Sequence, residues 1–177
     1  MITIVDNGKG AHKISRLLRT KNNVVKPGEN ADGSAFIITD GEKPENIHKD
    51  LKKIIERNVP VLAIGLGAFY IYEMLGAKIT KTSAAKKQEK LSIDNPSPML
   101  LDLKKMFTVL SNCSFESDGL PENFFVIASS RSNDCWLVQD VQMPLFCANF
   151  NPELGLDGLK ILRNFEKFLE VWEKYHK

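Results

Sequence analysis

Short apolar runs alternate along the first 76 residues with segments in which apolar positions recur every three or four residues. Ile2–Val5 is such a run, and Asp6-Asn7-Gly8 breaks it, so it reads as a buried strand entering a turn. From about Ala11, the residues Ile14, Leu17 and Leu18 recur at helical spacing, and Val24-Val25 reads as a second short strand. Ala35–Thr39 (AFIIT) is another buried run, closed by Asp40-Gly41. Pro44 then opens a helix in which Ile47, Leu51, Ile54 and Ile55 share a face, and Pro60 stops it. Val61–Ile64 is the next buried strand, followed by Gly65-Leu66-Gly67 and an apolar helix, Ala68–Leu75, that ends at Gly76. Fully apolar strands alternating with amphipathic helices predict a parallel sheet covered on both faces.

The second half has a different pattern. Ala77–Thr82, Lys86–Ile93, Phe107–Leu110, Phe124–Ser130, Cys135–Val141 and Pro144–Phe150 are short strand candidates. Turn residues separate them at Asp94-Asn95-Pro96, Asp118-Gly119 and Ser132-Asn133-Asp134. They form an antiparallel extension or an edge of the sheet. The last helix runs from about Asp157 to Tyr175, with Ile161, Leu162, Phe165, Phe168, Leu169 and Trp172 as one stripe.

A chain of 177 residues is expected to form one domain, 1–177, and is long enough to bury a core without disulfide staples. Hydrophobic residues at 43% and charged residues at 26% are ordinary for a soluble globular protein and exclude disorder and collagen-like repeats. The 24 basic and 22 acidic residues are interleaved, and the pairs Lys52-Lys53, Lys86-Lys87 and Lys104-Lys105 are scattered, so no nucleic-acid partner is expected. The longest uncharged stretch, Val61 to Tyr72, is too short for a bilayer, which takes about 20 residues. The N-terminus lacks the pattern of a secretory signal. Three Cys without CxxC spacing indicate a reducing compartment and no zinc site. A cytoplasmic protein without membrane, metal or cofactor is the expectation.

Val61 to Gly67 (VLAIGLG) is a strand turning sharply into a helix, the shape of a nucleophile elbow. The tip of such an elbow is backbone-strained and lies above free helix N–H groups that favour an anion. The segment PVLAIGLGAFYIYEMLGAKI resembles the elbow of the class I (triad-type) glutamine amidotransferases, whose usual form is close to P-[VI]-L-G-I-C-L-G-H-Q. MITIVDNGKG resembles the first strand and DNGGQ-like turn of the GMP synthetase amidotransferase, and IITDGEKPENI stands where that group has its Ser-Gly-Gly-Pro oxyanion loop. PLFCANFNPELGLDGLKILRNF resembles the P-[IL]-x-G-V-Q-F-H-P-E segment and the helix after it. The similarity covers nearly the whole chain and best fits the archaeal type, a separate small amidotransferase polypeptide. It implies a three-layer, flavodoxin-like α/β fold, with a mostly parallel central sheet and a smaller antiparallel extension in the second half.

The departures from that pattern bear on activity. The family's nucleophile Cys falls on Gly65 and its base His on Asn151; only the third position, Glu153, keeps its residue. The His-Gln pair after the elbow, part of the glutamine pocket, becomes Ala68-Phe69 beside Gly67. The oxyanion Gly-Gly is Asp40-Gly41 or Gly41-Glu42, and a Ser-His pair near the substrate becomes Ser111-Asn112. Glutamine hydrolysis through a covalent intermediate needs a thiolate and a base. Glycine has no side chain to attack with, and an Asn amide has no usable basic site. Gly65 also relieves the strain that a Cβ suffers at an elbow tip, and Phe69 is placed to fill the glutamine space.

The other thiols and imidazoles do not supply a substitute. On a continuous strand, Cys147, Asn149 and Asn151 point to one face, with Cys147 about 13 Å from Asn151. Cys147 reads as a small buried hydrophobe. Cys113 lies in a loop and Cys135 opens a strand. His12, His48 and His176 read as surface residues without partners.

Three functions remain open at this level. One is a pseudoenzyme that binds a protein partner or small ligand in a regulatory or scaffold role. Its contacts would run through Gly41, Gly67, Ala68, Phe69 and Asn112. By the resemblance, its partner would be a separate ATP-pyrophosphatase or synthetase-like subunit. Another is the amidotransferase subunit of a GMP-synthetase-like complex with residual or altered ligand chemistry at Asn112, Asn151 and Glu153. The last is a structural homo-oligomer.

Overall fold

The computed structural model describes residues 1–41, 47–82, 87–131 and 133–176. The strands are β1 (Ile2–Val5), β2 (Asn22–Val25), β3 (Ala35–Ile38), β4 (Val61–Ile64), β5 (Ile79–Lys81), β6 (Lys87–Ile93), β7 (Met106–Ser111), β8 (Phe115–Ser117), β9 (Phe124–Ser130), β10 (Asn133–Asp140) and β11 (Leu145–Ala148). The helices are α1 (Ala11–Leu17), α2 (Ile47–Glu56), α3 (Leu66–Met74) and α4 (Gly158–Tyr175), with single 3-10 turns at Pro98–Leu100 and Pro152–Leu154. The helix start at Pro44, the first residue of the Lys86–Ile93 strand, and Glu42 lie outside the described residues.

Nine strands form one sheet in the order β2-β1-β3-β4-β11-β10-β9-β6-β7. The first five are parallel to one another, and the remaining four join by antiparallel pairing. This is the mostly parallel sheet with an antiparallel extension that the alternation of apolar runs predicts. β1, β3, β4 and β11 are buried on both faces because their side chains alternate between two cores, while the edge strand β2 is half-buried. Ile2, Ile4, Ile37, Leu62 and Phe146 meet Ile14 of α1 and Ile161, Phe165 and Leu169 of α4. Val5, Phe36, Ile38, Ala63 and Cys147 meet Leu51 and Ile54 of α2 and Phe69 to Tyr72 of α3. Cys147 is thus the small buried hydrophobe expected.

Several boundaries differ from the sequence expectation for physical reasons. β5 does not join the main sheet; it pairs with β8, a three-residue strand too short to announce itself. β10 starts at Asn133, before Cys135, because the hairpin with β9 already pairs Asn133 with Ser130. β11 stops at Ala148, so the alternation that put Cys147, Asn149 and Asn151 on one strand face does not hold. The chain peels away there because the Asn151 N–H donates to the Leu110 carbonyl of β7. The same segment continues along that edge. Asp157 donates its N–H to the Thr108 carbonyl, and its Oδ2 accepts from the Thr108 N–H at 3.0 Å. The outer edge of β7 is covered by these bonds, which removes a sheet edge open to another strand.

Two of the His residues expected to lack partners have them. α2 packs on α3, which brings His48 Nε2 to 2.9 Å from Glu73 Oε2 and sets its ring edge-on to Tyr70. His176 stacks on Trp172, one turn earlier on α4. Among the described residues no helix is long and apolar enough to cross a membrane.

Candidate functional site

The chain reverses its direction of spread at β1. β2 lies on one side of it and β3 on the other. In open α/β sheets the crevice at the carboxyl ends of strands flanking such a switch point is the usual ligand position. The loops that leave the carboxyl ends of β1, β3, β4 and β11 carry Gly8 to Gly10, Asp40, Gly65 and Asn149 to Asn151 respectively, so all four converge on one end of the sheet.

Gly65 is the tip of the elbow between β4 and α3, with φ 52° and ψ −124°. An L-residue with a side chain is strained there. Its N–H donates to the Ala148 carbonyl at 2.8 Å, which anchors the elbow to β11. The next N–H, on Leu66, is free of the helix ladder because it opens α3. It donates to Asp40 Oδ1 at 2.8 Å. A Cβ placed on Gly65 would stand 2.6 Å from both Cγ and Oδ1 of Asp40. The Asp40 carboxyl group therefore fills the room that a side chain at the elbow tip requires.

Asn151 links this carboxyl group to the third position of the relict triad. Its Nδ2 donates to Asp40 Oδ2 at 3.1 Å and to Glu153 Oε1 at 3.3 Å. Its Oδ1 accepts from the Asn112 N–H at 2.7 Å. An Asn side chain offers two amide hydrogens and one carbonyl oxygen, so every polar function of Asn151 is engaged. Asp40, Asn151 and Glu153 are all buried. Glu153 packs against Gly10, whose φ is +86°, and a Cβ on Gly10 would come within 2.8 Å of Glu153 Oε1. Glu153 Oε2 is buried and accepts no hydrogen bond among the described residues.

Burial holds the Glu153 carboxyl above the usual carboxylate range, and the nearby Asp40 charge adds to this, while the bond from its own backbone N–H, the bond from Asn151 and the Lys13 charge oppose it. Folding then takes up a proton at Glu153. Its stability contribution is complete below the ordinary carboxylate pKa of about 4.3 and declines as pH rises through and beyond that value. Glu153→Gln is therefore expected to gain stability relative to the parent protein as pH rises from about 4.3 toward neutrality. Melting curves across that range check it; a margin independent of pH would contradict the burial argument.

The structure brings together Gly65, Asn151, Glu153 and the backbone of Asn112 from among the residues singled out in the sequence. Gly41 lies beside them, in an isolated bridge with Gly8. Gly67, Ala68 and Phe69 point elsewhere. Gly67 packs on the Ile38 and Thr39 carbonyls, and Phe69 is buried edge-on to Tyr72. Phe69 is thus part of the core under α3. Cys113 lies near enough to Asp40 to feel its charge, but burial first and that charge second push its thiol up to about 12. A thiol so held is a poor source of thiolate near neutral pH. Burial also raises the Cys147 thiol. No group of three His, Cys, Asp or Glu side chains among the described residues is placed to hold a metal ion.

Asp40 entered the sequence reading only as a position of the oxyanion Gly-Gly, not as a side chain that fills the elbow. Its signal was present: an acid directly after a wholly apolar strand stands at the carboxyl end of a parallel sheet, where polar side chains reach the switch-point crevice. Asp40 also lines, with Asn112, Asn151, Glu153 and the loop from Asp6 to Gly10, an open cleft of about 470 Å³.

The family model described as glutamine amidotransferase class-I matches residues 4–168. The chain is 30% identical to a subunit of the glutamine-hydrolyzing GMP synthase of Pyrococcus abyssi, over 94% of this chain and 97% of that protein. The glutamine-hydrolyzing GMP synthase of Crocosphaera subtropica is 27% identical over 63% of this chain, which spans only 21% of that longer protein. The crystal structure of a GMP synthase subunit from Thermoplasma acidophilum superposes with a TM-score of 0.87 at 25% identity, covering 98% of this chain and 96% of that one.

Proposed function

The chain belongs to the class-I glutamine amidotransferase family, and from that premise we propose that it is a pseudoenzyme, an amidotransferase-like domain that docks on a separate partner chain without hydrolysing glutamine. The observation that carries this reading is the Asp40 carboxyl group in the space of an elbow side chain, bonded to the Leu66 N–H. An elbow hydrolase uses the backbone N–H after its nucleophile to stabilise the developing oxyanion. Here that donor already holds an internal acid. The elbow tip is glycine, and the position of the base is an amide whose hydrogens are spent on Asp40 and Glu153. Nucleophile, base and oxyanion donor are thus withdrawn together.

The partner is argued from likeness. The archaeal relatives named as GMP synthase subunits are chains of this length, so the partner of this chain would be a synthetase-like, ATP-pyrophosphatase subunit, with a regulatory or scaffold role for the domain. Purified protein incubated with glutamine is expected to release ammonia at the rate of the protein-free blank. Loss of single triad members in a comparable hydrolase costs about 10⁴–10⁶ in kcat. Turnover above the blank that is absent from Asp40→Ala and Glu153→Gln samples purified in parallel would overturn the proposal.

A further inference from the structure

The open cleft at the switch point has two walls of opposite charge. One is cationic: Lys9, Lys13 and Arg16 fall at i, i+4 and i+7 and present one side of α1 and the loop before it, with His12 beside them. The other carries Asp40 and Glu153, whose Oε2 is buried and accepts no hydrogen bond among the described residues; Asp6 also lines the cleft, at the start of the β1–α1 loop. Among the described residues, Lys9, Lys13 and Arg16 close no salt bridge. The cleft volume of about 470 Å³ lies within the range of small-molecule sites. Gly65, Gly67, Ala68 and Phe69 do not line it; it opens instead on Asp40, Asn112, Asn151 and Glu153, on the side of the relict triad that faces α1.

An anion alone would satisfy the cationic wall and face two carboxyl groups. A cation alone would meet the reverse. A molecule with an anionic group at one end and a protonated amine at the other matches both walls, its amine on the side of the Asp40 and Glu153 carboxyl groups. We propose that the cleft between the β1–α1 loop and the turn at residues 151–154 binds a small zwitterion, its phosphate or carboxylate toward Lys9, Lys13 and Arg16 and its ammonium toward Glu153. The inference rests on the reading that Asp40, Asn151 and Glu153 no longer serve glutamine hydrolysis; ammonia release tests that reading and ligand titration tests this one.

Calorimetric titration with simple probes tests the pairing of walls. 2-Aminoethyl phosphate represents the phosphate form and β-alanine the carboxylate form. Phosphate, propionate and ethanolamine represent the separate halves. At least one zwitterion is expected to bind with a Kd about tenfold or more below those of its halves, a difference of about 1.4 kcal/mol. Arg16→Glu, on an exposed position, is expected to weaken that zwitterion about tenfold, and Glu153→Gln is expected to bring its Kd to that of the anionic half. Circular dichroism melts show that both variants are folded. Binding of phosphate as tight as that of the zwitterion, or no heat from either zwitterion up to about 10 mM, would overturn the proposal. So would an affinity unchanged by Glu153→Gln.

Discussion

Gly65→Ala is expected to lower the unfolding free energy by about 2–6 kcal/mol, and much of that loss should disappear when Asp40 is also replaced by Gly. Two costs combine in the single variant. A residue with a Cβ at φ 52°, ψ −124° is strained by about 1–3 kcal/mol wherever it stands. The added methyl group also enters a filled space, 2.6 Å from Asp40 Cγ and Oδ1, and overpacking a buried site costs about 1–3 kcal/mol. Displacing Asp40 further strains its bonds from the Leu66 N–H and Asn151 Nδ2. Only the backbone strain belongs to Gly65 alone; the remainder is shared with Asp40. A double-mutant cycle measured by denaturant unfolding therefore should show a coupling of about 1–3 kcal/mol between positions 65 and 40. Additive losses would mean that the Asp40 carboxyl does not occupy the elbow tip in solution.

Restoring the missing side chains is expected to fail while Asp40 remains. Gly65→Cys with Asn151→His supplies a thiol and an imidazole, yet the thiol must share its space with the Asp40 carboxyl group. The Leu66 N–H stays bonded to that group rather than facing a substrate carbonyl. A third change, Asp40→Gly, empties the space and frees the donor. An oxyanion donor is worth about 10²–10³ in kcat, so the triple variant should exceed the double variant in ammonia release from glutamine by about that factor. Equal rates in the two would show that Asp40 is no obstacle. A double variant that already hydrolyses glutamine as fast as the triple would place the loss of activity in the two missing side chains alone.

These two results concern a residue that the sequence marked only as a departure in the oxyanion loop. Strands, helices and the change from parallel to antiparallel pairing were legible because the apolar spacing is local: Phe36 and Ile38 face one core, Ala35 and Ile37 the other, and both halves of that alternation are visible in AFII. Gly65 and Asn151 were legible as departures from a family pattern. What they touch was not. Asp40 and Asn151 are 111 positions apart, and nothing in either neighbourhood states that an Asn amide will bond a carboxyl group after β3. The same holds for Phe69, which reads as a pocket residue beside the elbow and proves to be part of the core because α3 turns that face onto the sheet. His48 acquires Glu73 only because α2 lies along α3.

The sequence by itself determined the family, the layered α/β architecture and the absence of a thiol at residue 65 and an imidazole at residue 151, since each of these follows from residue identity and short-range spacing. Only the tertiary structure decided what stands in their place. Four strand ends converge on one edge of the sheet. There the Asp40 carboxyl meets the first free N–H of α3, Asn151 bridges it to Glu153, and the cationic side of α1 faces them across an open cleft. The physical reason is that hydrogen bonds and steric exclusion act over a few ångströms in space, whatever the distance along the chain. The sheet order that brings those groups together is set by the burial of every strand at once.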